Sequence, residues 1–444
     1  MRLYAALFAI GLVVYGALSW GRLGQTSVAP QYLYQADAWL HGKTSIDPPL
    51  RDADWAKVET VVLDDGSEVS GRRMITRPMF HTLGGTEIPV NRIKRTLGAV
   101  WYVSFPPLPS LLMLPSAIVA GRAGNDVIPT LLVAAAILPL ALLLLRRLAD
   151  AKLSQRTLRE DLWLVATPAF GTVLFFCAVQ GSVWFTAQVV GVALALVYAW
   201  ASIEAKRPIV AGLALAAAAL TRPPMAFMLP LFALEAWRVA AGDRRVLLRT
   251  LARFAAPIAV LAIAGMIYNA VRFGSPTEFG HTYLDVIQQR LIERHGLASY
   301  HYLARNLAAA FTLLPELVDR SPYIQIGGHG LAIWFTTPLL LFLLWPRERP
   351  PIHRALWITV ACVALPSLFY MNSGWVQFGY RFSLDYLVFL IMLLAVGGRP
   401  LGRVAQVLIA IGIAINLFGA VTFGRFDGQF YRTSGNAYDV VVPN

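Results

Sequence analysis

Apolar runs broken by short charged segments cover most of this chain, and only two long stretches, 21–126 and 273–330, depart from that pattern. A helix that crosses a bilayer needs about 20 mostly apolar residues. By that rule the chain predicts spans over 3–20, 127–145, 162–178, 183–202, 208–221, 223–240, 254–272, 331–346, 354–371, 382–397 and 404–422. The pattern therefore predicts an all-α polytopic membrane protein with about 11 transmembrane helices, and 1–444 reads as a single transmembrane domain. The first apolar run follows Arg2 but ends in no clean small-x-small cleavage site, so it is expected to stay as an anchor.

The two departures predict different structures. Within 21–126, residues 32–42 have helical spacing, and 61–69 reads as a β-hairpin because Asp65-Gly66 is a turn signal between β-branched residues. Leu108 to Ala120 is apolar but too short for a span and is interrupted by prolines, so it predicts an interfacial or re-entrant helix. The stretch 273–330 predicts a helix over 283–294 and an amphipathic segment over 300–317.

Composition strengthens the membrane assignment: 57% of residues are hydrophobic, 14% are charged and the mean hydropathy is +0.58. Charge then orients the spans, since basic loops stay on the cytoplasmic side. Arg146, Arg147, Lys152, Arg156 and Arg159 form one basic cluster, Lys206 with Arg207 a second, and Arg238 to Arg253 a third. Arg347, Arg349 and Arg354 follow, then Arg399 and Arg403. Eleven spans with the N-terminus inside put all five clusters on one side, leaving 21–126 and 273–330 outside. The net charge of +13 is then accounted for by topology, and no nucleic-acid partner is called for. Cys177 and Cys362 fall within apolar runs, which suggests neither a disulfide nor a thiolate metal site.

Chemistry is expected on the outer side, where the polar chain is. Tyr34, Asp37 and His41 share one polar helical face directly after the first span. Asp64 and Asp65 read as turn residues rather than as paired catalytic carboxylates. Arg222, in Leu-Thr-Arg-Pro-Pro, lies at an outer span end against the charge bias; it is either a snorkelling side chain or a phosphate ligand. The segment 372–385 carries Trp375, Gln377, Tyr380 and a second such arginine, Arg381, with Asp385 as its expected ion partner. Glu278 and His281 suit a polar substrate, although a solvated loop explains them too. No histidine spacing suggests a metal, and no cofactor is expected.

The acidic helix after the first span, the Tyr102-Val103-Ser104-Phe105-Pro106-Pro107-Leu108-Pro109 segment, and the Leu-Thr-Arg-Pro, Arg-Phe-Gly-Ser-Pro and Gln-Phe-Gly-Tyr-Arg-Phe pieces resemble the C-type membrane glycosyltransferases. The resemblance is to the branch of protein O-mannosyltransferases and lipid A aminoarabinose transferases with their bacterial relatives. It implies an inverting transfer of a sugar from a polyprenyl-phosphate donor to a lipid, glycan or protein acceptor, at the outer face of a bacterial inner membrane. Asp37 matches the family's acidic residue and would act as general base. Family members often have an acidic neighbour there, whereas this chain has Ala38. Arg222 and Arg381 would hold the donor phosphate, with Tyr34, His41, Trp375, Gln377, Tyr380 and His281 lining the substrate. The competing expectations are a transporter or flippase of a lipid-linked substrate, which calls for charge deep within spans, and a membrane protein of purely structural role.

Overall fold

The computed structural model describes residues 1–49, 54–286 and 288–432. Positions 50–53 of the first polar stretch, and 287 of the expected 283–294 helix, lie outside the described residues. About 61% of the chain is helical. The helices are α1 (Arg2–Leu18), α2 (Gln31–Leu40), α3 (Leu108–Ala120), α4 (Val127–Asp150), α5 (Leu158–Phe170), α6 (Leu174–Ala178), α7 (Val183–Ser202), α8 (Pro208–Ala219), α9 (Leu229–Ala240) and α10 (Arg244–Phe273). They continue with α11 (Gln289–His295), α12 (Leu303–Phe311), α13 (Ile333–Thr336), α14 (Ile352–Phe369), α15 (Leu387–Val396), α16 (Arg403–Thr422) and α17 (Asp427–Phe430).

Five helices among the described residues are long and apolar enough to cross a membrane: Val127–Asp150, Val183–Ala205, Arg244–Phe273, Ile352–Phe369 and Arg403–Thr422. This departs from the eleven continuous spans expected. The apolar run over 162–178 is divided where α5 ends at Gly171, and Thr172 turns its hydroxyl back onto the Pro168 carbonyl at 3.0 Å. The α8 helix stops short of Arg222-Pro223-Pro224, and a 3-10 turn, Pro223–Met228, leads into α9. Prolines lack the N–H that helix continuation needs, and they push the preceding residue out of helical geometry. Arg222 is accordingly extended, at φ −144° and ψ 111°. The run over 331–346 becomes α13 followed by the 3-10 segment Pro338–Leu344. Only 6% of the apolar window of α10 is buried by protein, which is consistent with membrane insertion.

The five basic clusters gather at one end of the bundle. Arg147 at the end of α4 pairs with Glu204 after α7 at 2.5 Å, and Glu204 donates its backbone N–H to Glu235, which Arg238 of α9 also pairs. Arg156 donates to the carbonyls of Leu394, Ala395 and Arg399, while the Arg347 N–H donates to Gly397.

At the opposite end, the first polar stretch carries much more β structure than the single hairpin expected. The hairpin predicted at 61–69 is present, formed by β1 (Trp55–Leu63) and β2 (Glu68–Arg73), but it belongs to a larger sheet. With β3 (Met79–Thr82), β4 (Glu87–Pro89) and β5 (Ile93–Val103) it makes five antiparallel strands in the order β4-β3-β2-β1-β5. Alternation along β1 buries Ala56 and Val58, then shifts by one residue at the irregularity between Thr60 and Val61 and buries Val61 and Leu63 in a separate cluster. A second sheet joins β6 (Glu316–Leu317), β7 (Ile324–Gly327) and β8 (Tyr431–Arg432). The five-stranded sheet sits on the end of α10: Ala56, Val58, Phe273 and Tyr283 pack together, and Arg272 donates to the Val103 carbonyl at 2.7 Å. That contact fixes the last pair of the β1–β5 ladder, Trp55 opposite Val103. The helix expected at 108–120 is α3, which begins with the Leu108 N–H on the Leu220 carbonyl, 3.1 Å away.

The second polar stretch is latched to the sheet by Glu293 of α11. Its carboxylate receives Arg72 at 2.6 Å, the Ile75 and Thr76 N–H groups and the Thr76 hydroxyl. Burial works against its charge, but these hydrogen bonds outweigh that and hold the carboxyl at about 2, below its ordinary 4.5. A depressed carboxyl stabilises the fold above its unfolded pKa and loses that contribution as pH falls through the folded one. The latch is therefore intact above about pH 4.5 and loosens between 4.5 and about 2. Glu293→Gln is expected to raise amide exchange at 74–77 and 289–295 at neutral pH and to remove its acid dependence.

Candidate functional site

The arginines that run against the charge bias meet. Arg222, held extended by the proline pair that follows it, turns into the bundle and pairs bidentately with Asp385, Nε to Oδ1 at 2.5 Å and Nη2 to Oδ2 at 2.8 Å. Asp385 therefore serves Arg222 and not Arg381, contrary to expectation. Arg381 lies at the start of the 3-10 turn Arg381–Asp385, which carries both Arg381 and Asp385 to the same place. The two guanidinium carbons lie 5.2 Å and 5.3 Å from the centre of the Phe382 ring. Arg381 is 6% exposed, yet among the described residues no carboxylate lies within the 4.0 Å of an ion pair. Among those residues its side chain donates to the carbonyls of Gly374 at 3.2 Å and Trp184 at 3.5 Å. A buried cation left without a counter-ion is costly unless an anion arrives.

The segment preceding Arg381 is built to hold it. Gln377 spends both amide hydrogens on the carbonyls of His329 and Ser373, and its oxygen accepts from the Arg381 N–H at 2.9 Å. Gly374 has φ +101°, and a Cβ there would lie 2.4 Å from the Gln377 oxygen, so glycine is required. Trp375 packs its ring against His329, 4.7 Å between centroids. Gln377 and Trp375 thus support the arginine, and their side chains are committed to protein. The Tyr380 hydroxyl is buried without a hydrogen-bond partner, as is that of Tyr32 on α2, whose hydroxyl feels the Arg222 charge.

Asp37 stands in a neighbouring cluster. Its Oδ2 receives Arg122 Nε at 3.3 Å, and Arg122 also donates to the carbonyls of Asp47 and Pro48. The Tyr34 ring lies 5.1 Å from the Arg122 guanidinium carbon, and His41 Nδ1 is 2.8 Å from the Asp37 carbonyl oxygen. Tyr34, Asp37 and His41 are thus one group, as their spacing implies. Asp37 is ion-paired with neither Arg222 nor Arg381. Along α2, however, it is five residues from Tyr32, about 7.5 Å at 1.5 Å per residue, and Tyr32 borders Arg222. His281 is half-buried beside Tyr370, 6.4 Å between rings, with its Nδ1 buried and unpartnered among the described residues. Burial lowers it to about 4, so it is neutral at physiological pH.

Two functional candidates were not anticipated from the sequence. Arg122 had a visible signal, being a further arginine between the 108–120 helix and the next span. Asp54, the residue ahead of β1, had none. It accepts from the Trp184 indole, Nε1 to Oδ2, at 2.9 Å. Burial pushes its carboxyl above its ordinary value, against the indole N–H and the Arg381 charge, which pull it down. No grouping of His, Cys, Asp and Glu among the described residues suits a metal ion.

No protein-family model matches the chain, and neither does any curated protein or solved structure.

The ion pair makes a direct prediction. Asp385→Asn leaves Arg222 buried without its partner and should cost on the order of 3 kcal/mol, read as a lowered unfolding midpoint in detergent. Adding Arg222→Ala should restore part of that loss, because the two side chains act as one unit.

Proposed function

We propose that the chain is an integral membrane glycosyltransferase that moves a sugar from a polyprenyl-phosphate donor to an acceptor hydroxyl, with inversion. The observation that carries this reading is Arg381, a buried guanidinium with no carboxylate within 4.0 Å among the described residues, beside a second, half-buried arginine, Arg222. A lipid monophosphate meets that need: its tail stays among apolar helices, and its head brings the missing negative charge. The unpartnered Tyr32 and Tyr380 hydroxyls are further donors beside the same arginines.

In the proposed step the acceptor oxygen attacks the anomeric carbon from the face opposite the phosphate. The carbon–oxygen bond to phosphate breaks as the new bond forms, and Asp37 takes the hydroxyl proton. Arg381 and Arg222 stabilise the charge that accumulates on the departing polyprenyl phosphate. Arg122 orients the Asp37 carboxylate through its hydrogen bond at 3.3 Å. The gathering of the basic clusters at the far end of the bundle supports an N-terminus inside and a site facing outside.

The test uses vesicles containing the protein, membrane acceptors from its host and undecaprenyl phosphates bearing labelled sugars. Asp37→Asn is expected to reduce transfer at least about a hundredfold while donor binding persists; unchanged transfer removes Asp37 as the base. Arg381→Ala should weaken donor binding by about tenfold or more, and wild-type affinity in that variant removes the arginine from the site.

A further inference from the structure

Asp54 is a mostly buried carboxylate that the proposed step does not use. Its Oδ2 is held by the Trp184 indole, while its Oδ1 accepts no hydrogen bond among the described residues. Trp184 touches both charged groups, giving its indole N–H to Asp54 and its backbone carbonyl to Arg381. The Arg381 charge reaches Asp54, yet among the described residues the two form no ion pair. Opposite charges in a buried setting attract strongly, and one tryptophan holds both without joining them, so a ligand carrying hydroxyl and phosphate groups could engage the two together.

Aromatic rings lie around these two charges. Tyr370 lies within the field of Asp54, and its ring is 6.1 Å from Phe382, the ring that both arginines approach. Tyr34 and Trp55, on the Asp37 side, have ring centroids 6.2 Å apart. A carboxylate oxygen with free lone pairs accepts hydrogen bonds from hydroxyl groups, and aromatic edges and faces pack against the apolar faces of a ring that carries them.

Building on the proposed function, we infer that Asp54, Trp184 and Tyr370 form the subsite for the donor's sugar ring, with Asp54 Oδ1 accepting from its hydroxyls. If Arg381 holds the phosphate, whatever is bonded to that phosphate on the side of Trp184 lies against Asp54. The β1 strand supplies the precision. Trp55 is paired with Val103, whose carbonyl Arg272 holds, so the residue before Trp55 is anchored by a sheet and not by a loose loop. Asp54 is thus a binding and specificity residue, separate from the base.

The experiment measures binding to the purified full-length chain in nanodiscs, using undecaprenyl phosphate alone and undecaprenyl phosphate carrying glucose, mannose or arabinose. The wild type is expected to bind at least one phosphosugar about tenfold more tightly than the bare phosphate. Asp54→Asn and Asp54→Leu should abolish that preference while binding of the bare phosphate is kept or tightened, since a negative charge has been removed from beside Arg381. A merely structural role would weaken both ligands together and overturn the inference. So would a wild-type preference retained in both variants, or a wild type with no preference for any sugar. Binding of bare phosphate that still depends on Arg381 would leave the lipid-phosphate reading standing in those cases. A wild type that binds none of the four ligands overturns both.

Discussion

A charged side chain inside a helical bundle must be answered by another charge, and the Arg222–Asp385 pair is where this protein meets that demand. The pair ties the extended residue between α8 and α9 to the 3-10 turn before α15, two segments separated by more than a hundred residues of chain. Because Asp385 pairs with Arg222, Arg381 on the same turn is left buried without an ion partner among the described residues. In the proposed function the donor phosphate answers that charge.

The sheet of the first polar stretch has a complementary role. It is seated on the end of α10 by Phe273, Tyr283 and Arg272, and its interior strand β1 begins at Trp55, next to Asp54. Helix α2 approaches from the other side, bringing Tyr32 to Arg222 and Asp37 to Arg122. Aromatic residues join the two clusters, with Tyr34 between Arg122 and Trp55. Rigid elements therefore carry the polar groups, which is the arrangement a positioned reaction needs.

What could be read from the sequence was whatever local pattern encodes. Apolar runs located most helices, Asp65-Gly66 located the hairpin, and proline content and length separated 108–120 from the spans. Arg222 and Arg381 stood out because they opposed the charge bias, and they do lie together. Span continuity was overestimated because hydropathy does not register where Pro223, Pro224 or Pro338 interrupts a helix. The five-stranded sheet was missed beyond its first hairpin since its pairing is long-range: β1 is an interior strand only because β5, some forty residues later, lies beside it. Asp54 was invisible for the same reason, its importance arising entirely from Trp184 and Arg381, which are distant in sequence. The choice of Arg222 over Arg381 as partner of Asp385 likewise depended on a contact between helices that local spacing cannot reveal.

The central claim is that Arg222 and Arg381 form one receptor for the phosphate of a polyprenyl lipid. Electron cryomicroscopy of the protein in nanodiscs with undecaprenyl phosphate tests it most directly. The account predicts phosphate density within hydrogen-bonding distance of Arg381, bordered by Arg222 and the Tyr32 and Tyr380 hydroxyls, with the tail leaving among the apolar helices. Lipid phosphate bound elsewhere, with Arg381 turned to a protein carboxylate, would contradict it.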